Sequence, residues 1–82
     1  MVEVTEMITE QLKSTRARAG LTQAHMSEAL GVSQGMISHF EAGRKAITPA
    51  NLERWMTACK VSARQRSKLV MLWFDEAVQR DE

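Results

Sequence analysis

The chain has 82 residues, a formal net charge of +1, 44% hydrophobic and 26% charged residues, and one cysteine, Cys59. This suits a single compact domain over residues 1–82 with a modest core, and a lone cysteine excludes a disulfide-stapled scaffold or a cysteine metal cluster. With no apolar run of about 18 residues and an acidic start (Glu3, Glu6, Glu10) that lacks an apolar segment, neither a membrane span nor a secretory signal is expected, and the expected location is the cytoplasm.

The small net charge conceals a segregated pattern. Residues 1–10 carry −3, residues 11–70 carry +7 and residues 71–82 carry −3. A basic middle between acidic ends suits a phosphate-facing surface, although plain solvated faces also segregate charge.

The apolar spacing is helical throughout, with no alternating β-branched run and no hairpin turn. A first helix is expected over about residues 5–19, with Val4, Ile8, Leu12, Thr15 and Ala19 on one stripe and Gly20 ending it. Thr22 caps a second helix over Gln23 to Leu30, whose inward face is Met26, Ala29 and Leu30. Ser33 caps a third over Gln34 to Ala42, buried at Ile37 and Phe40 and closed by Gly43. Thr48-Pro49 opens a fourth, with Leu52, Trp55, Met56 and Cys59 at helical spacing. Ser62, with Gln65 completing a capping box, opens a fifth over about residues 63–79. The short connections predict an all-α globule.

The second and third helices are short and joined by a three-residue turn containing Gly31, which must take positive φ. This is the spacing of a helix-turn-helix over about residues 22–42, whose second helix enters the major groove of DNA. Ser27 keeps the crossing of the two helices close. The exposed face of the third helix carries Gln34, Ser38 and His39, side chains able to reach base edges. Gly35 leaves a gap among these candidate base readers; it lowers helix propensity by about 1 kcal/mol, or it lets the helix approach the groove more closely. Ser33, Arg44 and Lys45 are placed to meet phosphates. His25 is expected to be a plain exposed residue, and Cys59 a small core residue. The two histidines and Cys59 have no metal-ligand spacing, so no metal or cofactor is expected.

Leu21-Thr22-Gln23, Leu30-Gly31-Val32-Ser33, Ile37-Ser38 and Glu41-x-Gly43-Arg44 together resemble the phage lambda repressor and Cro family, also called Xre-type, over roughly residues 8–61. Pro49-x-x-Leu52-x-x-Trp55 and Val61 fit its fourth helix and the start of its fifth. The chain departs from the family pattern at Ser27, where Ala is usual, and at Gly35. The resemblance implies a five-helix DNA-binding domain. It also implies that Gln23 is a phosphate-binding glutamine and that Arg16 and Glu41 form a buried ion pair of structural rather than DNA-contacting role.

The stretch Leu69 to Phe74 is apolar all round a helix. Part of it is expected to pack on the first and fourth helices, with Trp73 in the core. Met71, Phe74 and Val78 are then left as a candidate dimer interface. The leading expectation is a sequence-specific regulator of transcription, a repressor acting as a homodimer on a palindromic site in double-stranded DNA, and so nucleoid-associated. The alternatives are an antitoxin-like protein that binds DNA and a protein toxin, or an interaction adaptor; an antirepressor is a further candidate protein partner. No nucleophile–base pair, paired carboxylates or phosphate loop points to an enzyme.

Overall fold

The computed structural model describes residues 7–80, so the positions of Val4 and Thr5 at the start of the first helix lie outside it. The elements are α1 (Ile8–Arg18), α2 (Gln23–Leu30), α3 (Gln34–Ala42), α4 (Pro49–Cys59) and α5 (Ala63–Arg80), with no strand among the described residues.

Most boundaries have local causes. Thr22 Oγ1 accepts the His25 N–H at 3.1 Å, and His25 Nδ1 accepts the Thr22 N–H at 3.0 Å, closing a capping box at the start of α2. His25 is exposed, as expected, but it has this second task. Ser33 caps α3 through the Met36 N–H, and Thr48 caps α4 through the Asn51 N–H, with Pro49 at the first helical position. Gly31 (φ 72°) and Gly43 (φ 80°) take the left-handed conformation that turns the chain out of α2 and α3. The same turn after α4 falls on Lys60, a non-glycine at φ 55°. At α5 only half of the expected box forms. Ser62 Oγ accepts the Gln65 N–H at 3.1 Å, but the Gln65 side chain returns no bond. The start of α1 has no side-chain cap of its own; the Ile8 N–H instead donates to Glu76 Oε2 of α5 at 2.8 Å.

The core is centred on Leu12, Met26, Ile37, Trp55 and Leu69, all fully buried. Two alanines expected inside are exposed. Ala19 is the C-cap of α1, beyond the last helical turn, and Ala29 sits at the edge of the Met26–Leu30 stripe. Ile47, in the α3–α4 loop, is buried although nothing around it is periodic. Both tryptophans bond to carbonyls distant in sequence: Trp55 Nε1–H to Leu12 O at 3.2 Å and Trp73 Nε1–H to Ile47 O at 2.7 Å. Trp73 is half-buried rather than fully in the core. α5 lies along α1, and its Leu69 is buried in the same core cluster as Trp55, Met56 and Cys59 of α4. An exposed Arg66–Glu53 pair at 2.7 Å also joins α5 to α4, a type of contact worth less than about 1 kcal/mol.

α1, α2 and α3 meet at one partly buried charge cluster. Arg16 Nε and Nη2 donate to Glu41 Oε2 and Oε1 at 2.6 and 3.2 Å, and Nη1 donates to Leu21 O at 2.8 Å. The two side chains are 14% and 5% exposed. Their mutual attraction offsets a large desolvation cost only while both are present. An Arg16→Ala variant should therefore lose about 3 kcal/mol of stability, because Glu41 is left charged and enclosed. Arg16→Lys should recover little of it, since an ammonium cannot reproduce the forked contact. Denaturant unfolding of the two variants measures both effects.

Burial pushes the Cys59 thiol from 9.0 up to about 11, with the Arg16 charge opposing the shift and the Glu41 charge adding to it. The fold thus favours the neutral thiol. That contribution to stability is complete below the unfolded value of 9.0 and is lost as pH rises through about 11. A Cys59→Ala variant should show a flatter fall in melting temperature across this window than the parent protein. An equal fall in both would remove Cys59 as the cause.

Candidate nucleic-acid interface

The outer side of α3 carries two adjoining stripes set by the four-residue spacing of a helix. Gln34 and Ser38 form one, and Gly35 and His39 the other; all four residues are exposed. Ile37 and Phe40 on the opposite side are buried and fix which way the outer stripes face. Nothing within the protein requires a glycine at position 35. Its backbone is helical, and an added Cβ would come no nearer than 3.8 Å, to Ser33 Oγ.

Gln23 is half-buried, and its Nε2 donates to Glu41 Oε1 at 3.1 Å. Its side chain is therefore held against α3, while its backbone N–H lies in the first turn of α2 and has no partner within that helix. Gln23, Ser38, Glu41 and Ala42 line an open hollow of about 200 Å³ together with Lys13 of α1. Lys13 is exposed and was not among the sequence candidates. It lies one helical turn before Arg16, on a side of α1 that looks towards α3, a relation visible only once α1 and α3 are packed together.

Ser33 Oγ accepts the Met36 N–H at 3.1 Å, so its lone pairs serve the cap while its hydroxyl hydrogen can point outward. Arg44 and Lys45 follow directly after Gly43. Their backbone N–H groups donate to His39 O at 2.9 and 3.4 Å, which pins the loop to the end of α3. Both side chains are exposed and have no hydrogen-bond or ion-pair partner among the described residues.

On α5, Leu69 is buried and Leu72, Trp73 and Glu76 are half-buried, which marks the inward side. Met71, Phe74 and Val78 are 65%, 59% and 54% exposed, and Val70 adjoins them at 42%. Among the described residues no helix is long and apolar enough to cross a membrane, and no group of three or more His, Cys, Asp or Glu is placed to hold a metal.

The architecture built around α2, Gly31 and α3 is matched by a family model, described as a helix-turn-helix domain, over residues 8–69. No curated protein and no solved structure matches the chain. The family match spans all of α1 to α4 and the first turns of α5, and by it the chain belongs to the helix-turn-helix domain family, in its Xre/Cro-like form.

Proposed function

We propose that the protein is a sequence-specific repressor that binds a palindromic site in double-stranded DNA as a homodimer, with α3 in the major groove. Family membership gives the DNA-binding helix-turn-helix; domains of this family are typically non-enzymatic. The observation that carries the finer reading is the outer side of α3. It is a solvent-facing row of polar side chains beside a glycine, followed at once by two unpaired cations.

In this reading Gln34 and His39 reach base edges, Gln34 by a two-point contact of the kind an amide makes with adenine. Arg44, Lys45, Ser33 and the backbone N–H of Gln23 meet phosphates and set the register. Gly35 marks the closest approach of the backbone to the bases, which explains a helix-weakening residue at an exposed site with room for a side chain. The apolar side of α5 pairs with its copy in a second protomer and sets two α3 helices about 34 Å apart, one turn of B-DNA. That exposed face also suits an antitoxin-like reading, in which a protein toxin covers it. Control would then run through dimer equilibrium or a protein partner.

Sequencing the duplexes selected from a random pool tests the function. A two-fold symmetric consensus is expected; an asymmetric one would overturn the palindromic dimer. On the selected site, Gln34→Ala should cost about 1–3 kcal/mol and relax preference at one base position, while Arg44→Ala should weaken binding to all sequences and flatten the salt dependence. Gly35→Ala should raise stability by up to about 1 kcal/mol yet weaken binding to the selected site. A variant that is stabilised and binds as well as the parent would remove the close-approach role. Phe74→Glu should shift the protein from dimer to monomer in sedimentation. An unchanged assembly state would move the apolar side of α5 to another partner.

A further inference from the structure

We propose that the hollow between α1 and α3 seats one backbone phosphate of duplex DNA, with Lys13 as its charged contact and Gln23 and Ser38 as its hydrogen-bond donors. The inference rests on the reading that the protein binds duplex DNA, and it adds a residue of α1 to that interface.

The chemistry of the hollow is one-sided. Its volume is about 200 Å³, and five residues line it: Lys13, Gln23, Ser38, Glu41 and Ala42. Glu41 supplies the only negative charge, and both its oxygens are already occupied. Oε2 takes the Arg16 Nε–H, and Oε1 takes hydrogens from Arg16 Nη2 and Gln23 Nε2. The Arg16 guanidinium, 2.6 Å away, opposes the Glu41 charge at the floor of the hollow. Lys13, Ser38 and Gln23 each still offer a donor. Lys13 has no hydrogen-bond or ion-pair partner among the described residues, and neither does the Ser38 hydroxyl. Gln23 uses one amide hydrogen on Glu41 and retains a second. A free ammonium beside a hydroxyl and a spare amide N–H suits the oxygens of a phosphodiester, and the unpaired charge of Lys13 favours an anion over an uncharged base edge.

The assignment moves Ser38 from the base-reading row to the DNA backbone. Gln34, one turn earlier on the same stripe, is left facing the groove. It also gives the Gln23–Glu41 bond a use: it holds the glutamine amide at the wall of the hollow with its second hydrogen free.

The test is equilibrium binding of the full chain to a random-sequence 30-base-pair duplex across a salt series. Lys13→Gln should lower the slope of log K against log salt by about 0.9, the increment for one phosphate on B-DNA, which is about eightfold weaker binding at 0.1 M salt relative to 1 M. Lys13→Arg should retain the parent slope. Lys60→Gln removes the same charge from the end of α4, a residue that does not line this hollow, and should leave the slope unchanged. A parental slope for Lys13→Gln, or an equal loss for Lys60→Gln, would overturn the phosphate seat while DNA binding itself stood. Failure of the parent protein to bind duplex in a salt-dependent way would instead overturn the reading on which the inference rests. Ser38→Ala should weaken binding to the selected site and to the random duplex by the same factor. A loss confined to the selected site would return Ser38 to the base readers.

Discussion

The Arg16–Glu41 contact holds the DNA-binding half of the molecule in register. Glu41 belongs to α3, Arg16 to α1, the Leu21 carbonyl to the turn before α2, and Gln23 to the first turn of α2, and all four meet around one pair of opposite charges. Apolar packing alone tolerates small sliding between helices. A forked guanidinium on a carboxylate does not, because its two N–H···O directions are fixed together. Burial of Ile37 and Phe40 selects which side of α3 faces outward, and the pair holds that rotation against α1. It also sets the position of Gln23. Its worth lies as much in this geometry as in net stability, since enclosed ion pairs give back much of their attraction as lost hydration.

The secondary structure was largely legible because its boundaries are local. Thr22, Ser33 and Thr48-Pro49 start helices with their own side chains, and Gly31 and Gly43 stop them with a backbone conformation that few other residues adopt. What escaped was either non-local or chemically ambiguous. Helical spacing puts Ala19 and Ala29 on inward stripes, but a methyl group is nearly indifferent to burial and both are exposed. Lys60 performs a turn usually given to glycine. Ile47 is buried because Trp73 closes over its carbonyl from 26 positions away in the chain, and Glu76 caps α1 from 68 positions away. No pattern within a window of residues carries either contact.

The candidate interface divides along the same line. Gln34 and His39 could be picked out because a polar residue on the open side of an amphipathic helix faces solvent wherever that helix packs. The engagement of Gln23 with Glu41, and the approach of Lys13 to Ser38, depend on how α1 crosses α3. That crossing is a tertiary fact. α5 is two-sided for a related reason. Leu69 and Trp73 commit one side to the fold, while Val70, Met71, Phe74 and Val78 leave apolar surface exposed on the other.

The capping box at α2 uses a histidine where a glutamate or glutamine is usual. Glutamate would close the same two hydrogen bonds but would place a carboxylate in the first turn. With His25 there, α2 begins without an acid, and α3, α4 and α5 also have none in their first turns. Four of the five described helices thus carry no acid of their own against the partial positive charge of their N-terminal ends. For a molecule with a formal charge of only +1, this is a second source of attraction for a polyanion, carried by peptide dipoles rather than by side chains. Unlike lysine charge, it adds nothing to the net charge and is fixed in direction by the fold.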